Sequence, residues 1–236
     1  WSEAYDQDLR PFSMLRLAGD AVALVYAVGH TRAAAVIGHD FGSPVAAWCV
    51  LARPDVFAAS VMMSAPFAGT PAPSIPSTSA ATGLHASKEA VAQGLAALPR
   101  PRKHYQWYYS EREANADMMR APQGLHAFLR AYFHFKSADY AGNRPYRLAS
   151  AAPEHLAEMP TYYIMDRDAT MAETVVPYMP SPEATAACRW MPDVEMAVFA
   201  QEFGRTGFQG GLNWYRTRFD AGIADDHRVY AGKTID

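Results

Sequence analysis

Residues 38–42, with the sequence GHDFG, place one acidic side chain between small residues. Small neighbours permit a strained strand-to-helix turn that projects its central side chain away from the backbone. The central residue, Asp40, carries a carboxylate, which can attack a saturated carbon and form a covalent ester but serves poorly as an esterase or protease nucleophile. The pattern therefore predicts that Asp40 is a nucleophile acting at saturated carbon.

A second interpretation of Asp40 stays open on this pentapeptide alone, because an aspartate after a strand is often the N-cap of the next helix. In either case the following helix directs its N-terminal N–H groups and positive dipole end toward the turn. The backbone N–H of Phe41 is then the predicted donor to an oxyanion when the ester is hydrolysed.

The elements around the turn follow a strand, turn, helix and strand order. Residues 33–37 form a continuous apolar run, which predicts a strand buried on both faces of a parallel sheet. Residues 44–52 predict a helix with Pro44 in its first turn, and the apolar run at 58–63 predicts the next strand. Together these elements predict a βαβ unit and an α/β fold.

Other parts of the chain have helical periodicity. The stretches are 14–28, 114–119, 125–135 and about 193–203. Ser13 and Gly29 are placed to cap and to end the first of them. A segment rich in Pro, Ser, Thr and Ala at 68–80 predicts a surface excursion, and the aromatic-rich sequence beyond it suggests an inserted helical module.

Two segments resemble epoxide hydrolases of the α/β-hydrolase fold. The first is residues 36–42 (VIGHDFG), together with 53–55 (RPD) and 63–67 (MSAPF), which is similar to the nucleophile segment of that family. The second is residues 206–216 (TGFQGGLNWYR), which is similar to its cap-domain motif ending in Leu-Asn-Trp-Tyr-Arg. The second match is long and specific.

The resemblance implies roles for two phenols. Tyr215 corresponds to one of the two tyrosines that hold the epoxide oxygen, and Tyr105, in the aromatic segment 104–109, is the best match for the other. Tyr108 is the alternative to Tyr105. A carboxylate that attacks carbon while two phenols stabilise the developing alkoxide is a complete set of groups for opening a strained ether. We expect Asp40 to face these phenols across an apolar pocket.

The resemblance also implies a domain organisation, in which a partial α/β-hydrolase sheet domain carries an inserted, mainly helical cap. Residues 1–67 would form part of the core, 68–220 the cap with its linker, and 221–236 the return toward the core. Members of the family activate water with a His that an acidic residue orients, and the sequence offers no match for that pair. We expect truncation at both ends.

The composition favours a small, neutral, hydrophobic substrate. A net charge of −3 without a run of like charges provides no basic surface for nucleic acid, and no apolar stretch is long enough to span a membrane. Two isolated cysteines favour a reducing compartment, and we expect the cytoplasm. No motif predicts a cofactor or a metal site.

Two other functions stay open. A haloalkane dehalogenase also uses an Asp nucleophile, although that family typically has a Trp N–H donor where this chain has Phe41. A non-catalytic remnant would keep the fold without the water-activating pair. The cluster at residues 225–227 (DDH) is predicted to be a solvated turn rather than a substitute for that pair.

Overall fold

A computed structural model describes residues 8–71 and 84–235 of the chain. It divides the chain into two compact units. We call residues 8–71 with 216–235 the sheet unit and residues 84–215 the helical unit. These divisions differ by several residues from the sequence-based boundaries at 67 and 220.

The helices and strands of both units are short to medium in length. In chain order they are α1 (Met14–Ala27), β1 (Val36–His39), α2 (Gly42–Ala52), β2 (Ser60–Met63), α3 (Leu84–Ala96), β3 (Arg102–His104), α4 (Tyr105–Ser110), α5 (Ala114–Met119), α6 (Leu125–Lys136), α7 (Pro153–Leu156), β4 (Ile164–Asp166), α8 (Met171–Val175), α9 (Pro182–Ala187), α10 (Asp193–Thr206), α11 (Gln209–Thr217) and α12 (Ala221–Asp226).

The first helix has the ends that its sequence predicts. The side chain of Ser13 accepts a hydrogen bond from the backbone N–H of Arg16, which satisfies one of the otherwise unpaired amides of the first turn. Gly29 follows the helix with a φ of 84°, a conformation that glycine adopts without steric cost. The helix prediction for this segment is confirmed.

The βαβ unit is also confirmed. Strand β1 pairs with β2 in parallel, in a register running from Val36 opposite Ser60 to His39 opposite Met63. Helix α2 connects them and has the predicted C-terminal residue, although it begins two residues earlier than predicted. This unit brings the carboxyl ends of two neighbouring strands together, with Asp40 directly after the first.

The prediction that the first strand is buried on both faces is wrong. Val36 packs against the core formed by α1 and α2, but Ile37 is 65% exposed on the opposite face. In the described residues this sheet has two strands, and the side chains of Val61, Met62 and Met63 are exposed as well. The continuous apolar run is typical of a strand buried on both faces, but which faces are covered depends on the neighbouring elements, and the sequence of the strand does not specify them.

Residues 216–235 complete the core of the sheet unit. His227 stacks on the indole of Trp48 with ring centroids 4.5 Å apart. The Lys233 ammonium donates a hydrogen bond to the carbonyl of Leu51 over 2.6 Å. His227 is half-buried, its Nε2 has no hydrogen-bond partner in the structure, and burial lowers its pKa. The prediction of a solvated turn at 225–227 is therefore wrong in two respects: the two aspartates are exposed but end helix α12, and His227 is half-buried.

The helical unit contains the helices that periodicity predicts at 114–119, 125–135 and 193–203. Its core is rich in aromatic and methionine side chains from α4, α6, α8 and α10. It also contains an antiparallel pair of three-residue strands, β3 and β4, which the sequence did not predict. No helix in the described part of the chain combines the length and apolar character needed to cross a membrane.

Candidate active site

Asp40 adopts the backbone conformation of a strained turn. Its φ is 52°, in the left-handed region that few non-glycine residues occupy outside special turns. Its backbone N–H donates to the carbonyl of Met63 at the end of β2, over 3.0 Å. The side chain is exposed. The turn thus holds a carboxylate out at the end of the parallel strands, as a nucleophile requires.

Close packing behind the turn explains why Gly38 must be small. A Cβ on Gly38 would overlap the carbonyl group of Gly42. The hydroxyl of Ser43 draws the turn together, because it donates to the carbonyls of Gly38, at 3.0 Å, and Met63, at 2.7 Å. Gly42 is less constrained, since a Cβ there would meet no atom within 4 Å.

The two glycines should therefore respond differently to substitution. Gly38→Ala is expected to lower the free energy of unfolding of the sheet unit by about 1–3 kcal/mol, the usual cost of forcing extra atoms into a packed site. Gly42→Ala should change it little, because the site is open and alanine favours the helix that begins there. Urea unfolding of the two variants measures this difference, and equal losses would contradict the role given to Gly38.

The amide of Phe41 is directed at the carboxylate of Asp40. Its N–H donates to Oδ2 of Asp40 over 2.7 Å, a short hydrogen bond to a charged acceptor. Phe41 occupies the N-cap position of α2, and the helix has no side-chain cap at this end. This geometry disfavours the reading of Asp40 as an N-cap. The guanidinium of Arg218 lies 5.3 Å from the centroid of the Phe41 ring.

The two tyrosines that the resemblance singled out meet inside the helical unit. Tyr105 begins α4, Tyr215 lies on α11, and their ring centroids are 5.9 Å apart in an edge-to-face arrangement. Both rings are partly buried against the core of the unit. The phenol oxygen of Tyr105 accepts a hydrogen bond from the side chain of Gln106 over 3.2 Å. Residues distant in sequence thus form one phenol pair.

The sequence of the chain is similar to that of a known epoxide hydrolase. No family model matches the chain. Its sequence is 31% identical over 238 aligned positions to Epoxide hydrolase A from Mycobacterium tuberculosis, an alignment that covers 99% of this chain and 57% of that protein. The resemblance to epoxide hydrolases is confirmed.

Solved structures agree on the fold. An epoxide hydrolase from an endophytic Streptomyces matches with a TM-score of 0.66 at 24% identity, over 98% of this chain and 58% of that one. Epoxide Hydrolase A from Mycobacterium thermoresistibile matches with a TM-score of 0.63 at 25% identity, over 98% and 59%. The chain has the α/β-hydrolase fold of these proteins and spans little more than half of their length.

Within this epoxide-hydrolase-like chain, the geometry favours Tyr105 over the alternative, Tyr108. The side chain of Tyr108 is only 1% exposed. Its hydroxyl lies 3.4 Å from a carboxylate oxygen of Asp117, and burial raises the pKa of its phenol. A phenol enclosed in the core and directed at a carboxylate is less accessible to a substrate oxygen than the partly buried phenol of Tyr105.

Three further tyrosines, which the sequence did not single out, lie in or beside the cluster around the phenol pair. Tyr109 lies 5.1 Å from Tyr215 and 5.5 Å from Tyr105 between ring centroids, and Tyr163 lies 5.4 Å from Tyr105. The hydroxyl of Tyr109 donates to that of Tyr132 over 3.2 Å. Burial, followed by the neighbouring phenol Tyr132, raises the pKa of Tyr109. The four-residue spacing of Tyr105 and Tyr109 on one helix was the available signal.

The remaining polar residues suggest no second centre. Among residues 8–71 and 84–235, no group of three or more His, Cys, Asp or Glu side chains could hold a metal ion. Cys49 is buried in the sheet unit, and burial raises its pKa to about 11, which leaves an inert thiol.

Proposed function

We propose that this chain carries the nucleophile and the oxygen-binding groups of an epoxide hydrolase. The observation that carries the proposal is the phenol pair Tyr105–Tyr215, in which the cap motif at 206–216 meets the aromatic segment 104–109. The elbow at Asp40 supports it, because a carboxylate held at positive φ after a parallel strand is available to attack carbon. The curated relative that the chain matches is named an epoxide hydrolase.

The proposed reaction has two steps. A carboxylate oxygen of Asp40 attacks an epoxide carbon, and the carbon–oxygen bond breaks as its electron pair moves to oxygen. Tyr105 and Tyr215 donate hydrogen bonds to this oxygen, and one of them supplies the proton that makes it a hydroxyl. Water then hydrolyses the hydroxyalkyl ester, which releases a vicinal diol and restores the carboxylate, and the proton that this step frees returns to the tyrosine phenolate. During this second step the Phe41 N–H stabilises the oxyanion.

In this proposal the helical unit is a cap that provides the phenols and an apolar surface for the substrate. The composition of the unit supports this role, because the side chains packed around Tyr105 and Tyr215 are mostly aromatic or apolar and present few charges to a substrate. A hydrophobic epoxide suits such surroundings, because burying its apolar carbon skeleton contributes roughly 25 cal/mol per Å². The substrate class is therefore a small apolar epoxide.

A haloalkane dehalogenase is the second candidate, because it would use the same Asp40 carboxylate. A departing halide needs N–H donors, and Phe41 has none on its side chain. The paired phenols match an oxygen leaving group better, since each can donate a hydrogen bond and one can transfer a proton. A non-catalytic remnant would share the fold with neither activity.

One labelling experiment separates these three possibilities. The chain is incubated with styrene oxide or with 1-chlorobutane, and the peptide containing residue 40 is analysed by mass spectrometry. We expect an increase of one styrene oxide mass on Asp40 and no butyl ester. A butyl ester without the styrene oxide adduct would assign a dehalogenase. The absence of an adduct from either reagent, together with the absence of phenylethanediol release, would rule out the proposed function.

A further inference from the structure

Lys136 ends helix α6 beside the tyrosines of the helical unit. Its ammonium donates to the hydroxyl of Tyr132 over 3.3 Å. It also lies over three aromatic rings, 5.0 Å from the centroid of Tyr132, 5.3 Å from that of Tyr162 and 5.7 Å from that of Tyr163. A cation at this distance from a ring face is attracted by the ring quadrupole. The tyrosines therefore hold Lys136 in one place although the residue is exposed.

Two routes connect this ammonium to the phenol pair. Through Tyr132 it reaches Tyr109, whose hydroxyl donates to the same oxygen over 3.2 Å and whose ring contacts both Tyr105 and Tyr215. Through Tyr163 it reaches Tyr105 directly, by an edge-to-face contact and a backbone hydrogen bond of 2.8 Å between Tyr105 N–H and the Tyr163 carbonyl. Only one layer of side chains separates Lys136 from the pair.

The charge on Lys136 is retained. Burial of the ammonium would lower its pKa, but the phenol oxygens of Tyr132, Tyr163 and Tyr105 outweigh burial and raise it. None of the ion pairs found in the described residues gives Lys136 a carboxylate partner. The groups that face it are the tyrosines of α4, of α6 and of the segment before β4. Its positive charge is thus compensated by solvent and not by a neighbouring anion.

We propose that Lys136 is a positioning residue for epoxide opening, which fixes Tyr132 and Tyr163 behind the phenol pair and stabilises the negative charge that develops on the epoxide oxygen. This inference rests on the proposed function. Lys136 acts through other side chains and does not touch the substrate. Because water screens an exposed charge, its effect is smaller than that of a phenol in direct contact.

The electrostatic part of this proposal can be measured without any reaction. Burial raises the pKa of Tyr162, and Lys136 lowers it. In protein labelled with ¹³Cζ-tyrosine, Lys136→Met should shift the alkaline titration of the Tyr162 signal upward, while Lys136→Arg keeps the charge and should leave it near the wild-type position. Tyr162→Phe assigns the signal. An unchanged titration in Lys136→Met would overturn the proposal.

The kinetic part of the proposal is tested by the rate at which styrene oxide adds to Asp40. Lys136→Met should slow labelling about three- to tenfold, the size expected for a partly screened charge, and Lys136→Arg should restore most of the rate. Lys103→Met is the matched control, since Lys103 lies 4.9 Å from the ring of Tyr108, which is outside the pair. It should label at nearly the wild-type rate.

The outcomes separate this inference from the proposed function. If the wild-type chain and every variant remain unlabelled and release no diol, the proposed function fails. If the wild type is labelled and Lys136→Met reacts equally fast, the role of Lys136 is wrong while the proposed function stands. Slow labelling that Lys136→Arg does not restore would assign the effect to packing and also overturn the role.

Discussion

Asp40→Asn should eliminate the styrene oxide adduct on the peptide that contains residue 40. An amide oxygen is too weak a nucleophile to open the epoxide, so the covalent ester cannot form. The substitution suits the turn, because asparagine tolerates the positive φ of 52° that Asp40 adopts. Loss of the adduct can therefore be assigned to chemistry and not to unfolding. Intact mass and peptide mapping provide the measurement.

Asp55→Asn is the matched control for this experiment. Asp55 is an exposed aspartate of the same unit, paired with Arg53 over 2.6 Å and remote in sequence from the elbow. A reagent that esterifies accessible carboxylates without selection would also label Asp55, and Asp55→Asn would then lower the total adduct. We expect Asp55→Asn to be labelled like the wild type. An adduct that persists in Asp40→Asn would remove Asp40 from the mechanism.

The ester is expected to accumulate on the 236-residue chain. Alkylation needs only the carboxylate and the phenols, whereas hydrolysis needs a base to activate water. The sequence offers no match for such a base. Of the described histidines, His227 stacks on Trp48, and His126 lies 3.5 Å from the carboxylate of Asp193 in the helical unit. Repeated release of diol would show that one of these histidines is the base.

The elbow could be predicted from five residues because its requirements are local. A tight turn needs a small residue where two backbone segments touch. Gly38 meets this need, because a Cβ at this position would overlap the carbonyl group of Gly42. The cap of α1 is equally local, since Ser13 and Arg16 are three residues apart. Local rules of this kind hold whatever the rest of the chain does.

Contacts between distant segments could not be predicted from spacing. The roles of Tyr132 and Tyr163 depend on α6 and the segment before β4 packing beside α4, and the sequence of a helix does not specify which neighbour its aromatic face meets. The exposure of Ile37 has the same origin, because the coverage of a strand is a property of the elements around it. The tyrosine of the cap motif was identified only through resemblance.

Tyr215→Phe and Tyr105→Phe should each slow the labelling of Asp40 by about 10²-fold. Each substitution removes one hydrogen-bond donor from the developing alkoxide, and the loss of one oxyanion donor typically costs that much in rate. The rings remain, so the edge-to-face contact between them is retained and the stability should change little. Thermal unfolding checks the stability, and the time course of adduct formation measures the rate.

The double variant Tyr105→Phe/Tyr215→Phe and the control variant Tyr108→Phe test whether the two phenols act on the same oxygen. If both phenols hold the same oxygen, Tyr105→Phe/Tyr215→Phe should be slower than either single variant, and its loss need not equal the sum of theirs because the two donors act on one atom. Tyr108→Phe is the control, since the Tyr108 hydroxyl is directed at Asp117 and not at the pair. If Tyr108→Phe is labelled slowly and Tyr105→Phe at the wild-type rate, the role of the second phenol belongs to Tyr108. If Tyr215→Phe is labelled at the wild-type rate, Tyr215 does not donate to the epoxide oxygen, and the proposed phenol pair is refuted.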